Sequence, residues 1–103
     1  MAAKRPDKGR ARVRPAEARR TVERIQTGVR MERRLLSVLK ALADLRGISL
    51  GDLLEGIVLH AFEGRAPFSN ESLAKIQALK DVFGLDLGAA DSHLLVEGRG
   101  EDT

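Results

Sequence analysis

The chain has 103 residues, a net charge of +3, 43% apolar residues and no cysteine. That length holds one domain at most, and the missing cysteine excludes a disulfide framework and any thiolate metal site. No run of about 18 apolar residues occurs and no apolar signal core marks the N-terminus, so a soluble, cytoplasmic protein is expected.

Charge divides the chain before any periodicity does. Up to Arg24 there are nine basic residues against Asp7, Glu17 and Glu23, a balance of +6, which leaves −3 for everything after it. With Pro6, Gly9 and Pro15 and almost nothing to bury, residues 1–23 read as a basic disordered arm. A basic arm ahead of a mildly acidic body suits a chain that meets polyanions; a solubilising tail has the same composition.

After the arm, residues 24–31 (RIQTGVRM) alternate apolar and polar with the period of a β-strand. Everything beyond them has helical spacing. Over residues 32–46, Leu35, Leu36, Val38, Leu39, Leu42, Ala43 and Leu45 recur every three or four positions and form one apolar face, and Gly47 stops the helix. Ser49 opens a second helix as a capping residue, with Asp52 three places on. Leu50, Leu53, Leu54, Ile57, Val58, Ala61 and Phe62 make its buried stripe, and Gly64 ends it. Ser69 caps a third helix over residues 70–83, with Leu73, Ile76, Leu79, Val82 and Phe83 apolar and Gly84 as terminator. Residues 85–96 have room for one further helical turn, and the tail 97–103 reads as disordered.

A single strand has no intrachain partner for its ladder hydrogen bonds. A second copy of the chain supplies one most simply, because a two-fold axis pairs the strand antiparallel with itself and lets four helices share a core. The expected fold is therefore mostly α: one N-terminal β-strand pairing across a homodimer, two core helices, and a third C-terminal helix.

The order strand, helix, Gly-Ile-Ser turn, helix resembles the ribbon-helix-helix family of DNA-binding proteins, the Arc and methionine-repressor group. The resemblance covers residues 24–64 and rests on the pattern and the tract GISLGDLL. It implies a dimerisation and DNA-binding domain over 24–64, with 65–96 as a helical extension. It also implies a two-stranded ribbon in the major groove. Ile25, Thr27, Val29 and Met31 would then face the dimer core, Gln26, Gly28 and Arg30 the base edges, and Arg24 a phosphate.

Chemistry supports two of the outward positions. A guanidinium matches O6 and N7 of guanine and a glutamine amide matches N6 and N7 of adenine, so Arg30 and Gln26 suit base reading. Gly28 has no side chain; there either the backbone approaches DNA closely or specificity is poorer. The N–H groups of Leu50 and Gly51, with the Ser49 hydroxyl, lie at the positive end of a helix dipole and suit a phosphate oxygen, although Asp52 opposes it and Ser49 is equally a plain cap.

The segment Leu59-His60-Ala61-Phe62-Glu63-Gly64 is similar to one in the methionine-repressor branch, which uses S-adenosylmethionine as corepressor. Gly56 stands where that branch is acidic and the interhelix link is too short to supply its basic side chain, so no cofactor is expected. His60 and Phe62 are read as an interfacial histidine and a core phenylalanine. Two histidines, no tyrosine, no phosphate loop and no carboxylate cluster with metal spacing point away from an enzyme, and His93 is taken as a surface residue. The expected function is a homodimeric, sequence-specific binder of double-stranded DNA, most simply a transcriptional repressor. The alternative is an antitoxin-like or other interaction module that binds a protein partner through its C-terminal region.

Overall fold

The computed structural model describes residues 19–98, so most of the basic arm and the last five residues of the tail lie outside the described residues. Three helices follow one another: α1 (Arg33–Arg46), α2 (Leu50–Phe62) and α3 (Asn70–Phe83), with a short 3-10 turn at Ala89–Asp91.

Each helix begins on a side-chain cap. The Glu32 carboxylate accepts from the Leu35 N–H at 2.8 Å, so this residue precedes α1 instead of starting it. The Ser49 hydroxyl accepts from the Asp52 N–H at 3.0 Å, and the Ser69 hydroxyl from the Ser72 N–H at 3.1 Å. Each satisfies one of the N–H groups that a helix start leaves without an intrahelical partner.

The ends are equally regular. Gly47, Gly64 and Gly84 have φ of +69°, +69° and +67°, a left-handed conformation that a Cβ would strain. The residue after each glycine then donates back five positions: Ile48 to Ala43, Arg65 to His60, Leu85 to Lys80, at 2.9 to 3.0 Å. This closes three helix C-termini in the same way and, at α1 and α3, turns an apolar residue inward. Ile48 packs on the core and Leu85 is buried.

The core is small. Leu42 and Ala43 of α1 and Leu53 of α2 form its centre, with Leu39, Ile48, Ile57, Phe68, Ile76 and Leu79 packed against them. Leu42, only 1% exposed, contributes about 1.5–3 kcal/mol by its burial. Two arginines on α1 fasten it to α3. Arg34 donates to the Gly84 carbonyl at 2.9 Å and pairs with Asp86 at 3.1 Å, at the end of α3. Arg46 donates to Ser72 Oγ at 2.6 Å near its start, with its guanidinium 5.6 Å from the centre of the Phe68 ring. The beginning of α1 therefore meets the end of α3, and the two run antiparallel.

The expected β-strand over residues 24–31 is absent. There are no strands among the described residues, and residues 19–32 are chain without regular secondary structure. The fold is three helices preceded by this segment, not a strand and two core helices with an extension. Eight alternating residues are compatible with extended backbone, but a strand exists only where a second backbone accepts and donates its ladder bonds. None of the described helices or turns offers such an edge.

Candidate nucleic-acid interface

The segment that carries the expected base-reading residues lies on the outside of the helical body. Arg24, Ile25, Gln26, Thr27, Gly28, Val29 and Arg30 are all exposed, and Met31 is half-buried. Ile25 and Val29, assigned to a dimer core, are 81% and 73% exposed in the single chain. A Cβ built on Gly28 meets no atom within 4 Å, so the chain itself does not require glycine there.

Two arginines tie this segment down. The Arg24 guanidinium donates two hydrogen bonds to Glu55 of α2, Nε to Oε2 and Nη2 to Oε1, each at 2.8 Å. The hydrogen bond to Glu55, and after it the charge of Glu55, raises the Arg24 pKa above its ordinary value, and Asp52 adds to the effect. The same hydrogen bond lowers the Glu55 carboxyl. Arg30 makes the equivalent two-pronged contact with Glu97, which lies beyond the 3-10 turn.

Of the expected phosphate contacts, Ser49 is exposed, Leu50 half-buried and Gly51 exposed, at the start of α2. The Ser49 hydroxyl accepts from the Asp52 N–H, and the first N–H groups of a helix have no intrahelical partner. Arg24 reaches the neighbouring turn of α2 through Glu55. Arg24 and the α2 start thus lie on one side of the molecule, with Asp52 and Glu55 between them as competing anions.

The two glutamates were invisible to sequence reasoning. Glu55 is 31 positions from Arg24 and Glu97 is 67 from Arg30, and neither lies in a motif that marks it.

A shallow cleft of about 150 Å³ lies beside this region, lined by Arg46, Ile48, Asp52, Leu53, His60 and Phe68 among others. His60 Nδ1 is 2.7 Å from the Gly56 carbonyl and donates to it. Phe62, read as a core residue, is 81% exposed and stands outside the cleft. No group of three or more potential metal ligands occurs among the described residues, and no described helix is long and apolar enough to cross a membrane.

Compared with known proteins, the chain matches no family model, no curated protein and no solved structure.

Proposed function

We propose that the protein is a homodimeric, sequence-specific binder of double-stranded DNA, most simply a cytoplasmic transcriptional repressor that acts by occupying its site. The observation that carries this reading is the exposed segment at residues 24–30, which carries Arg24, Gln26 and Arg30 on the outside of a folded body, the two arginines resting on surface glutamates. Arg and Gln have the donor geometry for guanine and adenine edges. No β-ladder is required for this. What is kept of the family likeness is the pair of helices joined by Gly47, Ile48 and Ser49.

Self-association is supported by what the single chain leaves uncovered. Val58, Leu59 and Phe62 on α2, with Ile25 and Val29 on the segment, are exposed large apolar residues. So small a core beside so much exposed apolar surface is the condition that a second copy relieves. A two-fold dimer would read an inverted repeat.

The test compares reading with anchoring. Arg30→Ala should cost about 1–3 kcal/mol per lost bidentate contact on the preferred site and little on random DNA. Ser49→Ala should weaken both alike. An unchanged ratio of specific to non-specific affinity in Arg30→Ala would remove the segment as the reading element.

A second reading rests on Leu94, Leu95 and Val96, which are exposed at the C-terminal end and suit a protein partner. Against it, Ile76 and Leu79 of α3 pack on the core of their own chain, which leaves less of the C-terminal region in need of a partner.

A further inference from the structure

We propose that Glu97 is an autoinhibitory residue: its carboxylate occupies the two guanidinium donors of Arg30 and must be displaced before Arg30 can reach a base. This rests on the DNA-binding reading above and adds its regulation.

The contact pairs complementary forks. Arg30 Nε donates to one carboxylate oxygen of Glu97 and Nη2 to the other. These adjacent donors are the ones a guanidinium presents to O6 and N7 of guanine, so the carboxylate and the base edge compete for one set of hydrogen atoms. The carboxylate also neutralises a positive charge on the face that must approach phosphates.

The C-terminal segment arrives there through a built turn. The Gly88 N–H donates to Asp91 Oδ2 at 2.8 Å, and Ser92 and Leu94 donate to the carbonyls of Ala89 and Asp91 at 3.0 Å. His93, with φ +69°, is the non-glycine residue that takes the left-handed conformation here and redirects the chain. Four residues later Glu97 meets Arg30, 67 positions away in sequence.

Arg24 supplies an internal comparison. It is paired by Glu55, which sits on α2 and is held by that helix, whereas Glu97 belongs to a segment outside the three helices. Glu97 is therefore the carboxylate that can withdraw without disturbing the body.

The experiment is a double-mutant cycle on the full chain, with affinity for the selected DNA site as readout. Glu97→Gln keeps the shape and removes the charge. It should tighten binding about two- to fivefold, the range expected of an exposed ion pair, with the gain shrinking as salt rises. In the Arg30→Ala background the same substitution should give no gain. A gain of equal size in both backgrounds would mean general repulsion between Glu97 and phosphate, and no gain in either would mean that the contact does not compete; each overturns the proposal. A DNA-independent readout accompanies the cycle. Trypsin must take the Arg30 side chain into its own carboxylate pocket, so Glu97→Gln should speed cleavage after Arg30 about two- to fivefold and leave cleavage after Arg24 unchanged. Faster cleavage in a protein that binds no DNA would leave the contact standing and remove the DNA-binding reading, and autoinhibition with it. Unchanged cleavage would overturn the contact itself.

Discussion

The three-helix body and the segment ahead of it both carry charged side chains but have opposite structural logic. In the body every helix start has a side-chain acceptor and every helix end is followed within two residues by a left-handed glycine, so the helix bounds are set by local contacts. In residues 19–31 there is no secondary structure, and the side-chain pairs that hold the segment are two exposed arginine forks. Surface ion pairs contribute about 0–1 kcal/mol each, whereas one buried leucine contributes about 1.5–3 kcal/mol. The body is therefore determined by its own sequence, and the segment is left open to be determined by something else.

That contrast can be broken most directly at Leu42. Leu42→Ala removes the most buried side chain and should cost about 2–5 kcal/mol, read as a lower midpoint in denaturant unfolding followed by circular dichroism. Val29→Ala, on the segment, should leave the unfolding of an isolated chain unchanged. Equal losses from the two substitutions would mean that the segment is part of the core.

The next effect concerns the α2 surface that the single chain leaves bare. Phe62→Ser should cost a dimer about 1.5–3 kcal/mol per copy through lost burial, while a monomer would lose almost nothing, since the ring is 81% exposed. The wild-type unfolding midpoint should rise with protein concentration, and that dependence should weaken in the variant. A stable wild-type monomer in sedimentation at micromolar concentration would take the dimer out of the proposed function.

Caps come third. Ser69→Ala and Ser49→Ala should each cost about 1 kcal/mol in unfolding experiments, since each hydroxyl holds one helix-start N–H. Only Ser49→Ala should also weaken DNA binding. A loss of DNA affinity in Ser69→Ala of the same size would show that the effect is stability and not phosphate anchoring.

The difference between the regions also governs what could be read from the sequence. Helix positions were legible because their signals are local: Asp52 lies three positions after Ser49, and Gly47 or Gly84 acts on the turn just before it. The periodicity of α2 suggested that its whole apolar stripe is buried, yet of those residues only Leu53 is, because period says which residues share a face and not what covers it. The eight-residue alternation that suggested a strand carries no information about a ladder partner, and the structure has none among the described residues. At the candidate interface, the chemistry of Arg24, Gln26 and Arg30 could be judged from residue type alone. Their partners could not: Glu55 and Glu97 are surface carboxylates like any others until the fold brings them to an arginine.

The smallest expected effect tests whether the boundary between the two regions lies at Glu32. Burial, the largest influence on this carboxyl, pushes its pKa up, but the hydrogen bonds from the Leu35 N–H and from Arg34, with the Arg34 charge, outweigh it and hold the group below the ordinary 4.5. A carboxyl lowered on folding binds fewer protons in the folded chain than in the unfolded one. Its contribution is then fully present above about pH 4.5 and is lost as pH falls through the lowered value. Glu32→Gln keeps an acceptor for the Leu35 N–H but cannot titrate, so its unfolding midpoint should fall less steeply than that of the wild type between about pH 5 and 3. Parallel curves for the two proteins would mean that Glu32 titrates alike folded and unfolded. The cap would then be as loosely held as the segment before it, and the ordered body would begin later, inside α1.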